Sequence, residues 1–153
     1  MSWLSNTDLE TALANWRDDR VRQAFLGIYP NDYLPRTRIQ PPVFVIVNTD
    51  VHNLPGQHWK VIFIDENHQG EVFDSLATPL SNHVIRFMNQ HTTQWKTNHR
   101  MFQHPTSSQC GAYVLYFITQ RFKYESLREL CLTFSTNLKQ NERMIRRFYH
   151  QLQ

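Results

Sequence analysis

Cys110, followed by Gly111, is the residue whose type and position best suit nucleophilic chemistry in this chain. A thiol attacks as its thiolate, and the pKa of an ordinary cysteine is about 8.5. Ser107 or Ser108 can cap a helix that begins at Cys110, where the helix dipole favours negative charge. Gly111 would let a substrate backbone approach closely. These features indicate a reactive cysteine, against the more common role of a cysteine as a small core residue.

A histidine beside the thiol can share its proton and form a thiolate–imidazolium pair. The chain has eight histidines that compete for this role. His58 is favoured because it lies at the start of a predicted strand, close to Gly56 and directly before Trp59. We therefore take His58 as the candidate base.

Asp74 is the candidate acid that would orient this histidine. In the predicted hairpin, a turn centred near Asn67 places Asp74 opposite Lys60. The carboxylate then lies one diagonal step from His58 on the same face. A register shift of one residue would move one of the two side chains to the other face, so the sequence permits this hydrogen bond without requiring it. The alternative is that Asp74 only caps the turn at Ser75.

Attack on a carbonyl also needs a donor to the negative charge that develops on its oxygen. Gln103, seven residues before Cys110, can provide a side-chain N–H, and the backbone N–H of the nucleophile can provide another. Gln109 is an adjacent competitor, and each glutamine taken alone is more often a surface residue.

The hydrophobic pattern around these residues predicts an α+β fold. We expect a small mixed sheet flanked by helices, with a central buried helix that carries Cys110 at its N-terminus. A capping box from Thr7 to Glu10 opens the first helix, and Thr78-Pro79 opens another. The prolines of residues 29–42 indicate an irregular loop. Predicted helices span residues 7–16, 78–90, 110–123, 126–134 and 138–152, and predicted strands span 43–47, 59–65, 71–74 and 95–102, with a turn at 52–56.

Length and composition limit the class of protein. The 153 residues predict a single domain, 1–153, and the 41% hydrophobic content is enough for a packed core. The net charge of +3 favours anionic partners only weakly. The two cysteines, Cys110 and Cys131, favour a reducing compartment, and Cys131 is predicted to be a core thiol. Without a recognisable signal peptide or membrane span, we expect a soluble, intracellular monomer with no membrane partner.

Four motifs resemble the adenovirus-type cysteine endopeptidases, the adenain family, over residues 25–122. The order of histidine, acid, glutamine and cysteine is shared with the SUMO and ubiquitin-like proteases of the same clan. The first two motifs favour the adenain branch. The motifs are Phe25-Leu26-Gly27-Ile28-Tyr29, Ile46-Val47-Asn48-Thr49, Gly56-Gln57-His58-Trp59, and Gln103 seven residues before Cys110-Gly111.

The resemblance implies roles for single residues. Cys110 is then the nucleophile, His58 the general base, and Asp74 the acid that orients it, in a position where adenain has glutamate. Gln103 is the oxyanion donor, and Trp59 resembles the family's tryptophan that packs near the imidazole. The resemblance further implies the adenain/ubiquitin-like-protease fold and a thioacyl-enzyme intermediate.

The resemblance also implies substrates and partners. We expect a viral endopeptidase that cleaves precursor proteins at glycine-containing sites during virion maturation, in the nucleus or cytoplasm of the host cell and in the virion. No cofactor is expected for the chemistry. Activation by DNA or by a peptide would be non-covalent, because His91-Thr92-Thr93 stands where adenain has the cysteine that binds its peptide cofactor.

Three alternatives remain open. One is the deconjugation of ubiquitin or a related modifier with a Gly-Gly tail. Another is a zinc site from His99, His104 and Cys110, but this spacing fits no common zinc pattern, so we predict no metal. The last is a non-catalytic DNA- or capsid-binding module, although a charged helix face is usually only solvated. Its basic face would consist of Lys139, Arg143, Arg146 and Arg147.

Overall fold

A five-stranded mixed sheet is the central element of the structure, a computed structural model that describes residues 4–49 and 58–152. In chain order the helices are α1 (Asn6–Ala14), α2 (Asp19–Ala24), α3 (Asn82–His91), α4 (Cys110–Gln120), α5 (Leu127–Cys131) and α6 (Leu138–Gln151). The strands are β1 (Phe25–Pro30), β2 (Val43–Asn48), β3 (Trp59–Ile64), β4 (Gln69–Phe73) and β5 (Gln94–Thr97), and a 3₁₀ turn, Arg121–Lys123, follows α4.

The strands lie side by side in the order of the chain. β2, β3 and β4 are antiparallel neighbours, while β1 pairs with β2 and β5 with β4 in parallel. β2 and β3 are apolar on both faces because helices cover both sides of the sheet. Val84, Phe87 and Met88 of α3 pack on one face, and α4 packs on the other.

α4 lies at the centre of the hydrophobic core. Every residue from Cys110 to Thr119 is buried. The ring of Phe117 stacks on Phe73 of β4 with centroids 4.7 Å apart, and its edge meets Phe44 of β2 at 6.3 Å. α1 and α6 also contact this helix. The predicted α+β class, with a central buried helix, is confirmed.

Two predicted helix starts are wrong. The capping box of α1 is formed by Ser5 and Asp8: Asp8 N–H donates to Ser5 Oγ at 3.1 Å, and Ser5 N–H donates to Asp8 Oδ2 at 2.7 Å. α3 is capped by Ser81, whose Oγ accepts the N–H of Val84 at 3.2 Å. Thr78 cannot cap α3, because its own N–H and hydroxyl both donate to Asp74.

Other boundaries also differ from the prediction. α2 and β1 have no counterpart among the predicted elements, and the strand predicted over 95–102 ends at Thr97. It stops there because the side chain of Asn98 donates to the carbonyl oxygens of Asp74 and Arg100. α4 has Gln109 at its N-cap without a side-chain cap bond, and Ser107 instead accepts the N–H of Gln109 at 3.0 Å. The turn predicted over 52–56 lies outside the described residues.

None of the helices within residues 4–49 and 58–152 combines the length and apolar character that crossing a membrane requires.

Candidate active site

The thiol of Cys110 and the imidazole of His58 meet where the first turn of α4 approaches the start of β3. Cys110 Sγ lies 3.2 Å from His58 Nδ1, although 52 positions separate the two residues in the chain. The N–H of Trp59 also donates to Cys110 Sγ at 3.3 Å. Cys110 is only 2% exposed, so almost none of this residue is in contact with solvent. The structure therefore brings together the nucleophile and base that the sequence predicts.

The other nitrogen of the imidazole faces Asp74. His58 Nε2 lies 2.7 Å from Asp74 Oδ1, and the carboxylate is 1% exposed. Val61 pairs with Phe73 in the hairpin, which is the register predicted from the turn near Asn67. That register carries Asp74 to the position opposite Lys60, next to the histidine.

The Asp74 carboxylate also organises the turn that follows β4. Leu76 N–H donates to Oδ1 at 2.9 Å, and Thr78 donates to Oδ2 through its N–H at 2.8 Å and its hydroxyl at 2.6 Å. Asn98 fixes the backbone of the same residue, because its amide bonds both the N–H and the carbonyl of Asp74. Asp74 therefore caps this turn and also pairs with His58, so the two interpretations of Asp74 do not exclude each other.

These contacts set the charge state of the pair. Burial by itself would lower the pKa of His58, but the hydrogen bonds to Asp74 and Cys110 outweigh burial and raise that pKa to about 10. Burial by itself would raise the pKa of Asp74, but the bond and charge of His58, with Thr78, lower that pKa. The geometry therefore favours a protonated imidazole between two acceptors at neutral pH.

Gln103 is fixed between the turn after Asp74 and the segment before Cys110. Its Oε1 accepts the hydroxyl of Ser75 at 2.6 Å, and its Nε2 donates to the carbonyl of Ser107 at 3.1 Å. Because the amide carries two N–H groups, this bond leaves the second N–H for the oxyanion role that the sequence predicts. The competitor, Gln109, is 6% exposed, and its Oε1 has no hydrogen-bond partner among the described residues.

Gly111 has a different neighbour from the one predicted. A Cβ at this position would lie 3.0 Å from Cβ and Cδ1 of Leu4 and 3.3 Å from Cζ3 of Trp59. The absent side chain makes room for Leu4 and Trp59 against α4, so the prediction that it makes room for a substrate backbone is wrong. Trp59 is 1% exposed, and its indole N–H donates to Asn6 Oδ1 at 3.2 Å.

The predicted basic face lies on the solvent side of α6. Lys139, Arg143, Arg146 and Arg147 are all exposed, while Ile145 is buried. Lys139 and Arg146 line a polar cavity of about 360 Å³, together with residues of the segment that precedes Cys110. No contact in the structure tests a role in binding DNA, which stays a prediction.

The structure does not assemble the zinc site considered as an alternative. Among the described residues, no group of three or more histidine, cysteine, aspartate or glutamate side chains is close enough to hold a metal ion. His104 instead accepts the N–H of Thr106 through Nδ1 at 3.2 Å. Cys131 is a free, partly buried thiol, and burial, with the charge of Glu71, raises its pKa to about 12.

Sequence reasoning missed the residues that hold this site in place. Asn6 bonds to Trp59, the residue after the candidate base, and Ser75 bonds to Gln103, the oxyanion candidate. Thr78 and Asn98 both bond to Asp74, the candidate acid. Each of these is a common surface residue type in an unremarkable local pattern. Only the bonds of Thr78, four residues from Asp74, could have been inferred from local turn chemistry.

A family model described as "Ulp1 protease family, C-terminal catalytic domain" matches residues 6–148. No curated protein matches the chain at a significant level. Two crystal structures of the ASFV pS273R protease share the fold with TM-scores of 0.66 and 0.67 at 18% identity, covering 92% of this chain and 65% of theirs. ChlaDub1 from Chlamydia trachomatis has a TM-score of 0.57 at 13% identity, and the match covers 71% of this chain and 60% of ChlaDub1. The chain thus spans less than two thirds of the length of these proteins.

Proposed function

Because the chain belongs to the Ulp1 protease family, a family of cysteine peptidases, we propose that Cys110, His58, Asp74 and Gln103 form its catalytic site. The observation that carries this proposal is the unbroken line of contacts from Cys110 Sγ through both ring nitrogens of His58 to Asp74, at 3.2 Å and 2.7 Å. The family supports the resemblance to the SUMO-protease clan, and the narrower resemblance to adenain stays a prediction.

The contacts suggest the order of proton transfers. The Cys110 thiolate attacks the peptide carbonyl, and the proton held by His58 passes to the leaving amine as the C–N bond breaks. Water then attacks the thioacyl-enzyme, giving one proton to His58, and the acid product leaves as the thiolate reforms. The free N–H of Gln103 and the backbone N–H of Cys110 are the proposed donors to the oxyanion.

We propose that the substrates are viral precursor proteins with glycine at the cleavage point. A sulfur that is 2% exposed is reached most easily by a backbone without side chains, which favours glycine. The resemblance to adenain supports a role in virion maturation, in the host nucleus or cytoplasm and in the virion. DNA or a non-covalently bound peptide would be the activator.

Deconjugation is the second candidate function, since the burial of Cys110 would equally favour the Gly-Gly tail of ubiquitin or a related modifier. A ubiquitin probe with an electrophile at its C-terminus separates the two. Rapid labelling of Cys110 by this probe would favour deconjugation. Labelling only by a short glycine-containing peptide electrophile would favour the processing of precursors.

Selective labelling by a small thiol reagent at pH 6 to 7, followed by peptide mapping, tests the proposed site. We expect label on Cys110 and little on Cys131, whose raised pKa leaves it protonated at that pH. Replacing His58 with alanine should slow the labelling of Cys110 without changing that of Cys131. Equal labelling of both thiols in the unmodified protein would argue against an activated nucleophile.

A further inference from the structure

Lys60 is a buried cation beside the proposed catalytic acid. It lies in β3, two residues after His58, and is 3% exposed. Its side chain shares a strand face with Ile62 and Ile64, which pack with α3 in the apolar cluster on that side of the sheet. Burial of an ammonium group is costly unless the charge is paired and its N–H groups are bonded.

The surroundings of Lys60 match the three N–H groups of its charged form. Its Nζ lies 2.9 Å from the carbonyl oxygen of Pro79, 3.3 Å from that of Thr78, and 3.4 Å from Asp74 Oδ2. A neutral amine has only two N–H groups and would turn a lone pair towards one of these acceptors. Burial lowers the pKa of Lys60, and the charge of Asp74 opposes that effect.

The two oxygens of Asp74 therefore face two different cations. Oδ1 pairs with His58 at 2.7 Å, and Oδ2 lies 3.4 Å from Lys60. Among the described residues, these are the ion pairs that Asp74 forms. When Cys110 is a thiolate and His58 an imidazolium, the four side chains together carry no net charge. Without Lys60 they would carry one negative charge in a buried site.

We propose, on the basis of the catalytic roles proposed above, that Lys60 is a positioning residue whose charge limits how strongly Asp74 holds His58 in its protonated form. A general acid must release its proton to the leaving amine, and an imidazolium held too strongly does so slowly. The Lys60 ammonium weakens the negative potential of Asp74 at the imidazole while its bonds to the carbonyl oxygens of Thr78 and Pro79 hold the turn.

Among the described residues, the charged groups that act on His58 come from three elements. Cys110 of α4 and Asp74 of the turn after β4 contact His58, and Lys60 of β3 contacts Asp74. A cavity of about 340 Å³ opens beside His58 and Lys60, and the other described residues that line it, from α3's N-cap and the neighbouring loops, are uncharged.

The first test measures the imidazole directly, in a Cys110→Ala background where no catalysis takes place. The ring of His58 is titrated by NMR with and without Lys60→Met. Removing a nearby buried cation should raise the pKa of His58 by about one unit, since the protonated form is no longer opposed. Lys60→Arg keeps the charge, so the pKa of His58 in this variant should stay within about 0.3 units of its value in the Cys110→Ala parent.

Lys60→Gln is the second uncharged variant, because it keeps an N–H donor for the carbonyl oxygens if Lys60→Met does not fold. An unchanged pKa of His58 in the folded uncharged variant would overturn the proposal. An equal rise in Lys60→Arg would also overturn it, because packing and not charge would then be the cause.

The second test uses the intact Cys110 and a peptide substrate. Lys60→Met should lower kcat about tenfold with little change in KM, and should move the alkaline limb of the kcat/KM profile to higher pH. A merely structural lysine would lower stability without moving that limb. If the unmodified protein cleaves no substrate, the proposed function fails while the titration of His58 still decides the role of Lys60.

Discussion

Asp74 Oδ1 lies 2.7 Å from His58 Nε2, and the opposite nitrogen of the same ring lies 3.2 Å from Cys110 Sγ. The carboxylate thereby fixes which nitrogen faces the sulfur. Since Asp74 is itself held by three N–H or O–H donors of Leu76 and Thr78, the orientation of the ring is set by the turn after β4.

Cys110→Ala should abolish peptide hydrolysis, because it removes the attacking atom. His58→Ala should lower kcat/KM by about three orders of magnitude or more, since both proton transfers depend on the imidazole. Initial rates with a glycine-containing peptide measure both. Cys131→Ala is the matched control, and its activity should stay within about twofold of the parent. Full activity of Cys110→Ala or of His58→Ala would end the proposed mechanism.

Asp74→Asn should lower kcat by about two to four orders of magnitude, because the amide cannot stabilise the imidazolium or keep the ring nitrogens in their roles. It should also cost about 1–3 kcal/mol of stability, because one oxygen that accepts bonds in the turn becomes a donor. Thr78→Val is the control. It removes only the hydroxyl bond to the carboxylate, so it should cost about 1 kcal/mol and keep most of the activity. Equal losses of kcat in the two variants would show that the turn, and not the charge, matters.

The pH profile of kcat/KM should fall on the alkaline side near pH 10. The pKa of His58 is raised from 6.5 to about 10, so the imidazolium that protonates the leaving amine persists through neutral pH and is lost above that value. Alkylation of Cys110 should not fall with it, since a thiolate needs no proton donor to react. A profile whose alkaline limb lies near pH 7 would contradict the raised pKa.

The same shift affects stability. Because the pKa of His58 is higher in the folded protein than in the unfolded chain, its contribution is complete below pH 6.5 and is lost as pH rises towards about 10. His58→Ala should therefore flatten the decline of the unfolding free energy across this interval, as measured by urea unfolding at several pH values. An identical pH dependence in the variant and the parent would show that His58 titrates alike in both states.

Gly111→Ala should destabilise the fold by about 1 kcal/mol. Alanine gains up to about 1 kcal/mol of helix propensity, but a Cβ 3.0 Å from Leu4 overpacks the core, at a cost of about 1–3 kcal/mol. Urea unfolding measures the difference. Leu4→Ala removes one of the two contacted atoms, so the penalty for Gly111→Ala should be smaller in that background. A stabilised single variant would show that Leu4 moves aside freely.

The basic face of α6 predicts salt-dependent binding of duplex DNA. Arg146→Gln with Arg147→Gln should weaken binding and reduce the slope of log K against log salt by about two. Arg36→Gln with Arg38→Gln is the control with the same change in net charge, at two exposed positions of the loop between β1 and β2. A slope that falls equally in both double variants would mean that only net charge matters, and an unchanged slope would exclude α6 from the contact.

The hairpin and the central helix could be predicted because their signals are local. The apolar, β-branched run of β3 and the turn near Asn67 define the register that brings Asp74 to His58, and the apolar run after Cys110 predicts a buried helix. The support of the site could not be predicted in the same way. Asn98 meets Asp74 across 24 positions, and Ser75 meets Gln103 across 28. Such pairs depend on how distant segments pack, and the polar residues that form them occur throughout the chain.

The bond from the Trp59 amide to Cys110 Sγ makes this backbone N–H a reporter of the state of the sulfur. Acylation or alkylation of the thiol replaces a strong acceptor by a thioester or thioether sulfur, which accepts hydrogen bonds weakly. The ¹⁵N–¹H resonance of Trp59 should therefore shift, and its solvent exchange should accelerate, each time the intermediate forms. Occupancy of the nucleophile could then be followed in real time with an unlabelled substrate.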